Sequence, residues 1–369
     1  MQLSVCIITK NEEQNIARCL KSLMSYDVEI VVADTGSVDH TKEIVSKYTD
    51  HLYDFAWCDD FSAAKNFAVS KATNPYVLIL DSDEYIEQFD DVTLERLLSE
   101  HPQKVGRIKR RNFFSRGEIR NENVEWINRI FLKEAFCYEG RIHEQIIGKD
   151  KTVYDTYQAP IIIGHTGYNL SEEEREAKTK RNITMLLREL ELLLQERKVG
   201  TVREDAEKTT VSDTDNKIPY ILYQLGKSYY MAEDYETACD YFANGLSYDL
   251  NPKLEYVIDM VETYGYALIN SGQADKALFF ENIYGEFGKA ADFQFLMGLI
   301  YMNNARFEDA INEFLKATTQ EECRMVGVNS YSAFYNIGVI YECLGQVEKA
   351  HHYYMKCGDY EPAKARLEC

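Results

Sequence analysis

Residues 1–84 alternate between short apolar runs and longer amphipathic stretches. An unbroken apolar run is typical of a strand that is buried on both faces of a parallel sheet. Apolar residues three or four positions apart, such as Ile16, Leu20 and Leu23, are typical of a helix with one buried face. The pattern predicts strands at 3–8, 28–33, 52–55 and 76–80, with helices after Asn11, at 41–48 and at 61–71.

Polar residues at the helix starts support these elements. Asn11, with Gln14 three residues later, matches a capping box, and Asp60 is placed to cap the helix at 61–71. Strands that alternate with helices form a mostly parallel sheet with helices on both faces. The first part of the chain is therefore predicted to be an α/β domain.

Carboxylates follow two of the predicted strands. Asp34 comes directly after the second strand, and Asp81 and Asp83 come after the fourth. Ligands of open α/β sheets bind at the carboxyl ends of the strands. Two carboxylates spaced i, i+2 can hold a divalent cation against a phosphate, although Asp is also common in turns that close a strand.

Residues 105–138 extend the predicted sheet. Strands at 126–131 and 136–138 are predicted to form a hairpin that turns at Lys133. The strand at 105–114 is basic in an otherwise acidic chain, and two interpretations stay open. Its cations could meet phosphates or an acidic acceptor, or they could protect a solvated edge strand from pairing with another chain. The basic residues are Arg107, Lys109, Arg110 and Arg111.

The second half of the chain has helical patterns. A helix is predicted from Ser171 to just before Gly200, and the polar segment 200–217 is predicted to be a linker. A glycine then recurs within similar apolar patterns, with spacings of 39, 33 and 40 residues. This resembles the tetratricopeptide period of about 34 residues and predicts an all-α repeat domain in which small residues let helices pack closely. The glycines are Gly226, Gly265, Gly298 and Gly338.

The composition of the chain excludes some classes of function. The chain has 61 acidic and 41 basic residues among 369, a formal charge of −20, which argues against general nucleic-acid binding. Its nine cysteines form no C-x-x-C pair and fit a reducing compartment better than a disulfide or zinc framework. No segment resembles a signal peptide or approaches the ~18 apolar residues of a membrane span. We therefore expect a cytoplasmic protein without a membrane span.

Four segments occur in the order found in a known family. SVCIITKNEE, VVADTGSVDHT, WCDDFSAAKN and LILDSDE resemble the nucleotide-sugar half of glycosyltransferase family 2 enzymes, which have the GT-A fold. The resemblance implies that Asp34 binds the nucleobase, usually uracil; a carboxylate accepts hydrogen bonds and suits an imide N–H. It also implies that Thr9 packs along the nucleoside, that Asp81 faces the ribose, and that Asp83 binds a divalent metal, Mn²⁺ or Mg²⁺, on the diphosphate.

Lys65 departs from this family pattern, because many relatives have arginine at its position. If the side chain meets the pyrophosphate of the nucleotide sugar, lysine acts as a point charge and not as a bidentate fork. The other interpretation is that Lys65 is a solvated residue of its helix.

Two later segments also resemble the family. NRIFLKEAFCYEGRIHE, at 128–144, implies that Glu144 is the general base, although many relatives have aspartate in this element. The H-x-G-Y string at 165–168 implies that His165 completes the metal site, where imidazole is compatible with Mn²⁺. A lone histidine after a strand is otherwise more often structural. Arg129 is given no role.

The whole chain resembles enzymes that join a GT-A domain to tetratricopeptide repeats, including the sublancin-type peptide S-glycosyltransferases. The predicted parts are a GT-A domain at 1–170, a helical connector and linker at 171–217, and a repeat domain at 218–369. The function implied is metal-dependent, inverting transfer of a hexose from a UDP-sugar to a Ser, Thr or Cys side chain of a peptide or protein.

Other functions remain open at this point. The acceptor could instead be a cell-envelope glycan or a lipid-linked sugar. The chain could also be a tetratricopeptide adaptor with a degenerate catalytic domain, although the intact DSDE at 81–84 and Asp34 argue against this. The repeats could hold a peptide acceptor, form a homodimer or brace the catalytic domain.

Overall fold

The computed structural model describes residues 1–116, 119–165, 172–203 and 213–368. Side chains at 114–121, 166–172, 174, 198–216 and 369 are not part of the description. The chain divides into two compact units, Met1–Arg175 and Glu176–Cys369, and each is described by itself.

The first unit contains ten strands and four helices among its described residues. Its first part alternates strictly between strand and helix, as predicted, and its second part consists mainly of strands. The strands are β1 (Leu3–Thr9), β2 (Glu29–Asp34), β3 (Leu52–Asp54), β4 (Tyr76–Asp81), β5 (Glu84–Phe89), β6 (Val105–Arg116), β7 (Ile119–Leu132), β8 (Phe136–Glu139), β9 (Gln145–Gly148) and β10 (Thr156–His165). The helices are α1 (Ile16–Leu23), α2 (Thr41–Val45), α3 (Phe61–Lys71) and α4 (Asp91–Glu100).

Eight strands form one sheet in the order β3-β2-β1-β4-β7-β6-β10-β5. The ladders β2/β3, β1/β2, β1/β4 and β6/β10 are parallel, and the other three are antiparallel. The mostly parallel GT-A sheet predicted from the sequence is thus confirmed. The parallel strands β2, β1 and β4 lie side by side, so their carboxyl ends form one edge of the sheet.

Helices cover both faces of this sheet, because alternate residues of each strand enter different cores. Val5 and Ile7 of β1 pack in one core with residues of α1 and α4. Cys6, between them, packs in the other core with Ala68 and Val69 of α3. Burial on both faces explains why β1, β2 and β4 are almost continuously apolar.

One helix cap follows the prediction and one does not. Asp60 Oδ1 accepts a hydrogen bond of 2.9 Å from the Ala63 backbone N–H, so the predicted cap of α3 is confirmed. The predicted Asn11 cap is wrong, since α1 begins at Ile16 and Asn11 has φ of 54°. The Asn11 side chain instead accepts from the Val38 backbone N–H at 2.8 Å, which ties two loops together.

For residues 105–138, the predicted hairpin and one of the two open interpretations are wrong. Strand β7 pairs with β4 and β6, whereas β8 pairs with β9, so no hairpin turns at Lys133. Strand β6 lies between β7 and β10 and is not a solvated edge strand. Two of its cations are paired with carboxylates of the same unit: Arg110 with Glu84 and Glu125, and Arg111 with Glu87 and Glu122.

The second unit is a helical array, as predicted. Helix α5 ends at Arg203 and α6 begins at Asp213, and residues 204–212 of the predicted linker lie outside the described residues. The helices are α5 (Glu172–Arg203), α6 (Asp213–Met231), α7 (Tyr235–Leu246), α8 (Glu255–Asn270), α9 (Tyr284–Phe287), α10 (Ala291–Asn303), α11 (Phe307–Ala317), α12 (Tyr331–Cys343), α13 (Val347–Met355) and α14 (Glu361–Leu367), with a 3₁₀ helix at Lys276–Ile283. Among the described helices, none is long and apolar enough to cross a membrane.

The recurring glycines are the points of close helix contact. A Cβ atom on Gly298 would lie 2.6 Å from the ring of Phe314, on the second helix of the same repeat. Gly226 and Gly338 face Phe242 and Tyr354 in the same way. In the fourth case the neighbour is different, because Gly265 faces Leu296 of the following repeat. The predicted role of these glycines in packing is therefore confirmed.

Candidate functional site

Two buried polar atoms lie at the carboxyl ends of β1 and β2. Thr9 and Asp34 end these parallel strands and are directly opposite each other in the ladder. Asp34 Oδ1 accepts from the backbone N–H groups of Gly36 and Ser37, at 3.0 and 2.8 Å. Asp34 Oδ2 and Thr9 Oγ1 have no hydrogen-bond partner among the described residues, although both side chains are buried. Buried polar groups normally are hydrogen-bonded, so this pair is suited to bind a ligand.

The turn after Asp34 depends on a glycine. Gly36 has φ of 108°, a backbone conformation that residues with a side chain rarely adopt. This conformation aims the N–H groups of Gly36 and Ser37 at Asp34 Oδ1, and these two hydrogen bonds fix the carboxylate without using Oδ2.

Asp81, at the end of β4, is held between two buried cations. Lys65 Nζ lies 3.3 Å from Asp81 Oδ1, and an Arg129 Nη2 nitrogen lies 2.7 Å from Oδ2. Burial alone would raise the pKa of Asp81, but the charges of Arg129 and Lys65 outweigh it and hold this pKa well below its usual value. Asp81 is therefore an anion whose position is fixed before any ligand arrives.

Lys65 also joins Asp81 to Glu144, the predicted base. The Lys65 Nζ to Glu144 Oε1 distance is 2.5 Å, and Lys65 is only 5% exposed. The interpretation of Lys65 as a solvated helix residue is therefore wrong. Lys65 Nζ also lies 5.3 Å from the ring centroid of Tyr138, whose hydroxyl has no hydrogen-bond partner among the described residues. Burial raises the pKa of Tyr138 to about 12, so the phenol stays protonated.

Glu84, the third acid of the DSDE segment, belongs to the site although the sequence did not single it out. Glu84 is fully buried; its Oε2 accepts from the Asp81 backbone N–H at 2.9 Å. Its Oε1 accepts from Arg129 and from Arg110, each at 3.1 Å. Arg129, which the sequence left without a role, thus braces both acids. The basic residues on β6 and β7, which are unusual in so acidic a chain, were the sequence signal that could have indicated buried carboxylate partners.

Asp83 and His165 meet because β5 and β10 pair. The ladder places His165 opposite Glu84, and His165 Nε2 lies 3.3 Å from Asp83 Oδ2. The other ring nitrogen, Nδ1, lies 2.7 Å from Asn112 Oδ1 on β6. Residues 166–168 of the H-x-G-Y string lie outside the described residues.

Asp83 and His165 could bind a divalent cation together, although two side chains do not form a complete metal shell. Within the described ranges, no group of three or more His, Cys, Asp or Glu side chains is arranged to hold a metal. A carboxylate oxygen in the turn between β4 and β5 and an imidazole nitrogen at the end of β10 match the donors that Mn²⁺ accepts. Mg²⁺ and Mn²⁺ at phosphate sites commonly keep waters and take substrate oxygens as further ligands. The donor set is therefore compatible with a metal that arrives with a diphosphate.

Comparison with known proteins shows which family the chain belongs to. Residues 4–149 match the model "Glycosyl transferase family 2", and residues 291–322 and 331–365 match a tetratricopeptide repeat model. The glycosyltransferase RP128 of Rickettsia prowazekii, described as uncharacterized, is 32% identical over 201 residues, which cover 44% of this chain and 68% of RP128. The chain belongs to glycosyltransferase family 2.

Two other glycosyltransferases are similar to this chain at lower sequence identity. SunS, a prophage-derived glycosyltransferase of Bacillus subtilis, is 22% identical over 310 residues, covering 80% of this chain and 66% of SunS. LpsC of Rhizobium meliloti, a lipopolysaccharide core biosynthesis glycosyltransferase, is 28% identical over 156 residues, covering 40% of this chain and 57% of LpsC. The first curated relatives are matched over a fifth to just under two thirds of their own length.

Proposed function

We propose that this family 2 glycosyltransferase moves a hexose from a UDP-sugar to a Ser, Thr or Cys side chain of a peptide or protein, with inversion at the anomeric carbon. The observation that carries the proposal is that two buried atoms of facing residues, Asp34 Oδ2 and Thr9 Oγ1, have no hydrogen-bond partner among the described residues. An ionised carboxylate can only accept hydrogen bonds, and the imide N–H of uracil is a donor that suits it.

The acids at the end of β4 suit the rest of the donor. Asp81, fixed by two cations, would accept from the ribose hydroxyls. Asp83 and His165 would hold a Mn²⁺ or Mg²⁺ ion, which neutralises charge on the diphosphate as it leaves. Lys65 lies beside Asp81, so its ammonium could contact the pyrophosphate of the donor. This contact would replace one of the ion pairs that Lys65 now forms with Asp81 and Glu144.

Glu144 is the proposed general base. It shares Lys65 with Asp81, so it lies beside the donor site and not in a separate pocket. A base at this position would remove the proton from the acceptor as the anomeric carbon is attacked from the opposite face. The Lys65 ammonium would hold the Glu144 carboxylate in one orientation until the acceptor binds.

The class of acceptor is supported by the second unit. Tetratricopeptide arrays present extended surfaces that commonly bind peptides, which favours a peptide or protein acceptor. A cell-envelope glycan is the second candidate, and the name of LpsC, a lipopolysaccharide core enzyme, favours it.

A thermal-shift panel tests the donor and the metal together. UDP, GDP, CDP and TDP are each added with and without Mn²⁺ to the wild type and to Asp83→Ala. A bound ligand raises the melting temperature according to its concentration relative to Kd. We expect UDP to stabilise the wild type most, with a larger shift when Mn²⁺ is present. Asp83→Ala should lose the Mn²⁺-dependent part. A folded wild type that no nucleotide stabilises would contradict the proposal.

The acceptor is tested by a transfer assay with the donor that the panel supports. Peptides rich in Ser, Thr and Cys are compared with lipopolysaccharide core fragments, and Glu144→Gln is the control variant. Transfer to peptides, lost in Glu144→Gln, supports the proposal, whereas transfer to the glycan alone favours the second candidate.

A further inference from the structure

A chain of partly buried hydrogen bonds leads from Glu125 on β7 to the proposed metal ligand His165. Asn112, on β6, is 3% exposed and stands between the two ends of this chain. Its Nδ2 donates to Glu125 Oε1 at 2.6 Å, and its Oδ1 lies 2.7 Å from His165 Nδ1. Arg110 donates to the same Glu125 oxygen at 2.9 and 3.1 Å.

Glu125 fixes the orientation of the Asn112 amide. A carboxylate has no hydrogen to donate, so the Asn112 atom that faces Glu125 must be the amide nitrogen. The amide oxygen of Asn112 then has to face His165. Arg110 holds Glu125 in place, and it also donates to Glu84 at 3.1 Å, so this arrangement is tied to the DSDE segment.

The orientation of Asn112 in turn selects the tautomer of His165. An amide oxygen accepts a hydrogen bond, so in the neutral ring Nδ1 must carry the hydrogen. Nε2 then presents its lone pair, and it is this nitrogen that lies 3.3 Å from Asp83 Oδ2. Two acceptors that face each other at this distance are suited to share a cation.

We infer that Asn112, oriented by Glu125, is a positioning residue that holds His165 in the Nδ1–H tautomer and keeps Nε2 ready for a divalent cation beside Asp83. The inference deepens the proposed function and rests on the metal site named there. Residues that hydrogen-bond the second ring nitrogen of a metal-binding histidine commonly fix its tautomer, and their removal typically lowers metal affinity about 10- to 100-fold.

The tautomer is measured first, in the metal-free full chain. Nitrogen NMR of histidine-labelled protein distinguishes the two tautomers, and a His165→Gln variant identifies the signals of His165. We expect Nδ1–H in the wild type. In Asn112→Leu the ring loses its acceptor at Nδ1, so the hydrogen should move to Nε2, where Asp83 accepts it. Nε2–H in the wild type, or an unchanged tautomer in Asn112→Leu, would overturn the inference.

A paired variant tests the orientation rule without removing the hydrogen bonds. Asn112→Asp combined with Glu125→Gln exchanges the amide and the carboxylate and preserves the net charge. The new carboxylate would still accept from His165 Nδ1, so the Nδ1–H tautomer should be retained. Glu122→Gln serves as the matched control, because Glu122 lies in the same β6/β7 ladder and its described ion pair is with Arg111, not with Asn112.

Mn²⁺ affinity is then measured by paramagnetic resonance with the metal alone. We expect Asn112→Leu to bind Mn²⁺ about 10- to 100-fold more weakly, while the paired variant and Glu122→Gln stay within about threefold of the wild type. Equal affinity in the wild type and Asn112→Leu would overturn the inference. Neither measurement uses a nucleotide, so a failure of the proposed UDP-sugar activity would be seen separately in the thermal-shift panel.

Discussion

At the scale of single residues, the site combines polar atoms that are fully paired with others that have no partner. Asp81 and Glu84 have two cations each, whereas Asp34 Oδ2 and the Tyr138 hydroxyl have no partner among the described residues. A buried group without a partner costs about 1–3 kcal/mol of stability. Such a cost is common at sites where a ligand supplies the missing partner, which is how we interpret Asp34.

The Tyr138 hydroxyl gives a prediction about stability. Tyr138→Phe removes a buried group that has no partner in the free protein, so the free energy of unfolding should stay the same or rise slightly. Tyr154→Phe is the matched control, because the Tyr154 hydroxyl donates to the Ile146 carbonyl at 2.6 Å. Its loss should cost about 1 kcal/mol. Denaturant unfolding compares the two, and an equal loss in both variants would contradict this interpretation of Tyr138.

Residue types at strand ends could be predicted from the sequence, but their partners could not. Asp34 and Asp81 were predicted at the ends of buried strands because apolar runs mark those strands clearly. The pairing of Asp81 with Arg129 joins residues 48 positions apart, and no local periodicity encodes such a contact. Asn112 carries no signal in the sequence at all.

At the scale of elements, periodicity predicted the helices and strands better than their pairing. Apolar runs located β1 to β4, and the local signal of Asp60 located the start of α3. The hairpin at Lys133 was wrong because β7 pairs with β4, a strand about 50 residues earlier, and that choice depends on the whole sheet. Asn11 was assigned to a cap because its alternative partner, Val38, lies on another loop.

The repeat helices give a prediction about packing. Gly298→Ala places a methyl group 2.6 Å from the Phe314 ring, so the helices must separate, at a cost of about 1–3 kcal/mol. Gly285→Ala is the control, since its added Cβ has nothing within 4 Å. Thermal unfolding followed by the helical circular-dichroism signal tests both. Equal melting temperatures for Gly298→Ala and the wild type would contradict the packing account.

At the scale of the whole molecule, the two units can be followed separately. Both tryptophans, Trp57 and Trp126, belong to the first unit. Tryptophan fluorescence therefore reports on the glycosyltransferase unit, and most of the helical circular-dichroism signal comes from the array. This separation makes it possible to assign an effect on stability to one unit.

The array should lose stability as the pH rises. Burial, together with the charges of Asp292 and Asp259, outweighs the opposite effect of Arg324 and raises the pKa of Glu262 from 4.5 to about 8. Between these values the folded state binds a proton that the unfolded state has released, so the free energy of unfolding falls with rising pH and levels off above about 8.

Unfolding of wild type and Glu262→Gln at several pH values tests this expectation. The glutamine cannot ionise, so the pH dependence due to this residue should vanish in the variant. The exposed Glu236→Gln in the same array is the control and should behave like the wild type. A fall in stability that is just as steep in Glu262→Gln would show that Glu262 is not its source.

The central claim for the whole molecule is that Asp34 selects a uracil nucleotide. Calorimetry tests this claim most directly, by measuring the affinities of the wild type and of Asp34→Asn for UDP and for CDP. Uracil N3 is a donor and suits a carboxylate, whereas cytosine N3 is an acceptor and suits the amide of asparagine. We predict that the wild type prefers UDP and that Asp34→Asn loses about 1.5–3 kcal/mol of UDP binding and shifts towards CDP. Asp54→Asn, at the exposed end of the neighbouring strand β3, should leave the preference unchanged. A wild type that binds UDP and CDP equally, or an Asp34→Asn variant that keeps the wild-type preference, would contradict the account.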